Sequence, residues 1–121
     1  MDNFWFTAIA LAAALLVTNR PARAADDKTA ALVNAKGCVA CHDVSTKKVG
    51  PAYRDVANKY AGQKDAVEKL TAKVLNGGSG VWGPVAMPPN KAMGVSEAEA
   101  KQLVIWVLSL KGAANTGTKN K

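Results

Sequence analysis

Cys38-Val39-Ala40-Cys41-His42 decides how the rest of this chain is read. Two thiols stand three positions apart, and an imidazole directly follows the second. This is the attachment signature of a c-type haem. Each thiol can add across one vinyl group of the porphyrin edge. The two intervening residues let one helical turn bring both sulfurs to that edge. His42 can then pass under the ring and offer a nitrogen to the iron. Other uses of paired cysteines fit less well. A zinc site takes four ligands, often as two separated pairs, whereas this chain has 2 Cys and 1 His. A thiol–disulfide module sets its pair beside a strand–helix–strand unit, and no stretch has the alternating or β-branched character of a central strand. A structural disulfide would leave His42 without a role.

The second axial position of the iron must come from elsewhere or stay open. His42 is the only histidine, which leaves methionine. Met1 precedes an apparent export signal, so Met87 and Met93 remain. Met87 lies in Gly83-Pro84-Val85-Ala86-Met87-Pro88-Pro89-Asn90. Its three prolines restrict φ and hold the loop extended. A stiff, non-helical loop can present a thioether at a fixed place and is a poor place for the flexible core filler that methionine usually provides. Met87 is therefore the expected ligand. Met93, in the softer Lys91-Ala92-Met93-Gly94-Val95, and an open sixth position are the alternatives.

Towards the start, Phe4 to Val17 form an apolar run of 14 residues. A bilayer-spanning helix needs about 20. Ala22-Arg23-Ala24 follows with the small-x-small pattern of a signal-peptidase site, although Asp2 stands where a basic start is usual. The expectation is a cleaved signal over residues 1–24 and a mature chain from Ala25. Haem attachment after export in bacteria agrees with this. The mature chain is short enough for one domain. Its only aromatics are Tyr53, Tyr60, Trp82 and Trp106, a thin core for a domain of this size. A haem would supply the missing flat apolar body.

The expected architecture is all-α, with about four helices. Asp26 is a candidate N-cap for a helix over 27–36, stopped by Gly37. Pro51 can open a second helix in which Tyr53, Val56, Ala57 and Tyr60 share one face, ended by Gly62. Val67, Leu70, Thr71 and Val74 mark a third, over 65–75, terminated by Asn76-Gly77-Gly78. Residues 79–95 lack periodicity and read as a functional loop. Ser96-Glu97-Ala98-Glu99 is a capping box opening a last helix with Leu103, Val104, Trp106, Val107 and Leu110 on a broad apolar stripe. Lys111 suits the negative end of its dipole, and Gly112 can cap it. Residues 113–121 have no apolar pattern and read as a disordered tail.

From about Ala30 to Lys111 the chain resembles the short bacterial class I cytochromes c, monohaem periplasmic electron carriers serving nitrite reductases and terminal oxidases. The resemblance rests on 36–42, on Val49-Gly50-Pro51-Ala52-Tyr53, on Gly80-Val81-Trp82-Gly83-Pro84, on Met87-Pro88-Pro89-Asn90 and on Trp106-Val107-Leu108-Ser109. It implies helices wrapped around one haem c bound through Cys38 and Cys41, with a cytochrome domain over 25–112. It implies His42 and Met87 as axial ligands, and the Pro51 carbonyl as acceptor from the far nitrogen of His42. It further implies that the Trp82 indole donates to a haem propionate, that Lys73 lies near a propionate, and that Asn90 hydrogen-bonds near the Met87 sulfur. The segment 91–95 is longer than the family usually has.

These readings converge on a soluble periplasmic electron carrier, not an enzyme, because both axial positions are filled. A haem domain with an open sixth position for ligand binding or sensing is the alternative. Without Asp2, Arg20 and Arg23 of the signal, 14 basic and 8 acidic residues leave a formal charge of +6. Lys36, Lys47, Lys48 and Lys91 flank the haem motif and the Met87 loop. They suit a redox partner with an acidic docking surface, such as a nitrite reductase, a terminal oxidase or a quinol-oxidising complex. No aromatics interleave with these lysines, which argues against nucleic acid. Nothing in the sequence calls for more than a monomer.

Overall fold

The computed structural model describes the backbone of residues 21–112, with side chains from residue 26 onward. The apolar run 4–17 and the tail 113–121 lie outside the described residues. Four α-helices make up most of the fold: α1 (Pro21–Ala35), α2 (Tyr53–Tyr60), α3 (Ala66–Asn76) and α4 (Glu97–Ser109). A two-stranded antiparallel sheet, β1 (Gly78–Gly80) and β2 (Gly83–Met87), joins α3 to the segment before α4.

The last helix is the hub, with α1, α2 and α3 all packed against it. Its start is fixed by the expected capping box. Glu99 N donates to Ser96 Oγ at 3.1 Å and Ser96 N donates to Glu99 Oε2 at 2.9 Å. Two otherwise orphaned amides are thereby satisfied. The apolar stripe buries Leu103 and Val104, with Leu103 joining Val33 and Tyr53 in the central cluster. No large side chain among the described residues is fully buried. The helices therefore meet around a space that their own side chains leave open.

Two expectations about local structure are corrected. The first helix does not begin at an Asp26 cap but runs from Pro21 straight through Asp26. The alanine-rich run around Asp26 has no breaker that would start a helix there. The helix does end as expected, at Gly37 with φ +73°. Residues 79–95, expected as an aperiodic loop, contain most of the β1–β2 hairpin and a 3₁₀ turn over Asn90–Met93. Gly-Ser-Gly in β1 offers no side-chain alternation to read, and Gly78, Gly80 and Gly83 have φ of +130°, +106° and +119°. Such backbone is open to glycine and closed to most residues. Helix α3 starts and ends within a residue of the expected positions, and α2 starts two residues after Pro51 and ends two before Gly62.

Candidate haem site

The motif itself forms a 3₁₀ turn over Cys38–Ala40. Cys41 N and His42 N both donate to the Cys38 carbonyl, at 3.2 and 3.0 Å. This single turn places both thiols on one side, as the spacing requires. Cys38 and Cys41 are free thiols, both partly buried. Burial pushes the Cys38 thiol up from its ordinary range. From Asp43 to Gly50 the chain loops out and returns. Gly50 N donates to Cys41 O at 2.8 Å and Tyr53 N to Asp43 O at 2.9 Å, closing the loop under the motif.

That closure determines the state of His42. Its Nδ1 lies 2.8 Å from the Pro51 carbonyl. A carbonyl oxygen only accepts, so Nδ1 holds the proton and Nε2 keeps a lone pair for a metal. The ring is clamped as well as hydrogen-bonded. Tyr53 stacks on it at 5.2 Å between centroids and 18° between planes, and Trp106 meets Tyr53 edge-on at 5.5 Å. A Cβ added at Gly50 would collide with the imidazole, lying 2.8 Å from Nδ1 and closer still to Cε1. Burial, together with nearby Cys38, Asp43 and Cys41, drives the Tyr53 hydroxyl well above the usual tyrosine range, so it stays neutral.

Cys38, Cys41, His42 and Met87 line one cleft. Its walls are apolar: Val33, Val56, Leu70, Val74, Leu103, Val104 and Val107 from all four helices, with Val81, Val85 and Ala86 from the hairpin region. Pro51, Lys73 and Trp82 also border it. Met87 reaches it from the end of β2. Met93 does not line it, and stands 60 % exposed on the 3₁₀ turn. Gly77 lets the Met87 backbone pass close to the end of α3. A Cβ there would strike the Met87 carbonyl and lie 2.8 Å from the Pro88 carbonyl carbon. Paired thiols, a histidine with a free Nε2, a thioether and an apolar cavity form a donor set and a shape that fit a haem. No group of three or more His, Cys, Asp or Glu that could hold a bare metal ion occurs among the described residues.

Asn90 sits beside the Met87 loop. Its Nδ2 donates to the Val74 carbonyl at 3.0 Å and the Pro88 carbonyl at 3.2 Å, which occupies both amide hydrogens. Asn90 is buried behind the cleft and pins the Met87 loop to α3. Trp82 is 40 % exposed at the hairpin turn, with the Lys59 ammonium 5.5 Å from its ring centroid, within cation–π range. Lys36 is also corrected. Its Nζ donates to the Gly94 carbonyl at 2.8 Å and pairs with Glu99 at 3.3 Å, so it is tied into the fold and does not serve as a free rim charge. Lys48 Nζ reaches the Val39 carbonyl at 2.8 Å and braces the motif turn. Val49, Val81 and Val85, which line the cleft, are 57, 51 and 63 % exposed, and Val39 on the motif turn is 40 % exposed.

The sequence reading missed three of these features: the Tyr53 stack, the close approach of Gly50 and the Lys36 contact. Gly50, directly before Pro51, was the one readable signal, since glycine in a non-turn position marks close approach of another group.

A family model for cytochrome c matches residues 27–111. Cytochrome c-552 of Hydrogenobacter thermophilus is 62 % identical over 80 residues, spanning 66 % of this chain and 79 % of that protein. Cytochrome c-552 of Nitrosomonas europaea is 46 % identical over 111 residues, 92 % of this chain and all of its own length. The crystal structure of Nitrosomonas europaea cytochrome c552 superposes with a TM-score of 0.64 at 51 % identity, covering 68 % of this chain and 99 % of that one.

Proposed function

The chain belongs to the cytochrome c family, and on that basis we propose that it is a one-electron carrier of the bacterial periplasm with His42 and Met87 as axial ligands. Covalent haem c, bound through Cys38 and Cys41, supplies a reversible one-electron iron couple when in place. The chain's own residues set how that couple behaves. Pro51 holds Nδ1–H of His42, which fixes the ring orientation and raises the basicity of Nε2. Tyr53 and Gly50 keep the ring from turning. Met87 offers a soft thioether and, with the water-poor valine and leucine walls, favours the lower charge of ferrous iron. Trp82 and Lys73 border the cleft where an N–H and an ammonium can meet haem carboxylates. If His42 and Met87 both hold the iron, no coordination site would be left for a substrate, which is why the reading is a carrier and not an enzyme.

The observation that supports this best is the pairing of His42, oriented by Pro51, with Met87 on a single apolar cleft. The expected donor and acceptor are larger redox complexes with acidic docking surfaces, such as a quinol-oxidising complex upstream and a nitrite reductase or terminal oxidase downstream. Export follows from the Ala22-Arg23-Ala24 pattern, and N-terminal sequencing of the holoprotein should begin at Ala25. No helix among the described residues is long and apolar enough to cross a membrane. The deciding experiment is a visible spectrum of the purified ferric and ferrous protein. Low-spin iron with a weak absorption near the red end, lost on adding cyanide, supports the His42–Met87 reading. A high-spin ferric spectrum would instead indicate an open sixth position and a ligand-binding protein.

A further inference from the structure

The geometry points to Lys36 as a positioning residue that governs how readily Met87 leaves the iron. This rests on Met87 being the sixth ligand. Lys36 lies two residues before Cys38, across Gly37. Its ammonium contacts two other parts of the chain, the Gly94 carbonyl at 2.8 Å and the Glu99 carboxylate at 3.3 Å. The Lys36 and Glu99 side chains are 24 and 32 % exposed, so the contact is only partly open to water.

Gly94 closes the segment that follows Met87. Gly94 N donates to Lys91 O at 3.2 Å and Val95 N to Asn90 O at 3.0 Å, making 90–95 one compact turn. Asn90 in turn holds Pro88 O at 3.2 Å, next to Met87. A continuous set of hydrogen bonds thus runs from the turn bearing Cys38 to the residue beside Met87. Lys36 is the member that bridges the two sides. The carbonyl bond and the ion pair are separable in effect. Glu99 is already fixed by the α4 capping box, so the ion pair mainly joins the end of the chain's first helical stretch, just past α1, to α4. The bond to Gly94 O restrains the Met87 loop itself. A charge-assisted hydrogen bond to a neutral carbonyl is among the stronger polar contacts a protein makes. If the loop must shift for the thioether to dissociate, this bond is lost or strained when it does.

The test uses the ferric holoprotein and cyanide, whose binding must wait for the sixth position to open. Lys36→Met should speed cyanide binding by about tenfold, the order expected when a charge-assisted hydrogen bond no longer holds the ligated state. It should also move loss of the red-end absorption to lower pH. Lys36→Gln serves if Lys36→Met yields no holoprotein. Lys36→Arg, which can keep both contacts, should stay within about twofold of wild type. Glu99→Gln keeps the carbonyl bond and should lower Tm with little change in the cyanide rate. An unchanged rate in the uncharged variants, a Lys36→Arg rate as fast as theirs, or a Glu99→Gln rate equal to theirs would overturn the inference and leave Lys36 a stability contact. A wild-type ferric spectrum without the red-end absorption would overturn the Met87 reading, and this inference with it.

Discussion

His42 and Pro51 are joined by a 2.8 Å contact from the imidazole Nδ1 to the proline carbonyl, across a loop that leaves the motif and returns beneath it. The contact settles the tautomer of the histidine before any metal arrives. It also makes the backbone from 43 to 51 part of the ligand's support, so changes in that loop are felt at the ring.

Gly50→Ala is the most direct test of this support. The added methyl would meet the His42 ring, and neither the Pro51 bond nor the Tyr53 stack lets the ring move aside. Overpacking of this kind costs about 1–3 kcal/mol, a fall in Tm of roughly 4–20 °C for a domain of this size. The reduction potential should shift at the same time, because the ring is displaced. A variant with wild-type Tm and potential would show that the loop yields freely.

Met87→Ala and Met93→Ala should behave differently. The first should retain covalent haem, lose the red-end absorption and lower the potential on the order of 100 mV, within the roughly 0.8 V range that axial ligands command. The second removes a side chain that is 60 % exposed and outside the cleft. It should change stability by less than about 0.5 kcal/mol and leave spectrum and potential alone. Potentiometry on both variants decides the assignment, and the reverse pattern would move the ligand to Met93.

Acid should act through Asp43. Its carboxylate accepts from Ser45 N and Thr46 N, both at 3.1 Å, and these backbone bonds hold its pKa below the ordinary aspartate range. A depressed carboxylate pKa gives stability that is present above the unfolded-state value, near 4. That stability is lost as pH falls through it towards the folded-state value. Glu99 and Asp65 are depressed in the same sense, chiefly by the Ser96 amide and the Lys69 side chain respectively. Tm should therefore be flat near neutrality and fall below about pH 4. Asp43→Asn should be less stable than wild type at pH 6, and the difference should shrink by pH 3. A constant difference across that range would rule out the carboxylate charge as its origin.

Lys47→Glu should slow the second-order reaction with an acidic redox partner by about tenfold at low salt, with no change in potential. The effect should fade as the Debye length drops from about 10 Å at 0.1 M to about 3 Å at 1 M. Lys47 is exposed and has no polar contact among the described residues that would complicate the result. Lys48→Glu should show the same rate effect plus a loss of stability, because Lys48 also braces Val39 O. Stopped-flow rates that ignore salt in wild type and variants alike would leave the valine rim as the sole recognition element.

Much of the fold and the centre of the site could be read from residues that act through their near neighbours. The turn that presents Cys38 and Cys41 closes within five residues, and the Ser96–Glu99 box within four, so each is written locally. Helices α2 and α3 follow from 3.6-residue periodicity and their glycine stops. The hairpin was hidden because glycine backbone pairing leaves no side-chain pattern. The start of α1 was hidden because a good cap residue, Asp26, can also sit inside a helix. The contacts of Lys36, Asn90 and Gly50 were not legible for another reason. Their roles depend on residues 58, 16 and 8 positions away, and a single sequence does not reveal which loop carbonyl or ring will arrive there.

The exposed valines at 39, 49, 81 and 85 have a consequence for concentrated solutions of the protein. Two copies could cover these side chains by meeting rim to rim, but each brings the same positive field, and at low ionic strength like charges keep them apart. Added salt weakens that repulsion while leaving the attraction between apolar surfaces in place. Self-association and partner capture should therefore respond to salt in opposite directions. Sedimentation velocity at rising salt would show copies pairing under the conditions where the acidic partner lets go, and a sedimentation coefficient constant across that range would mean the rim is too small to hold two copies together.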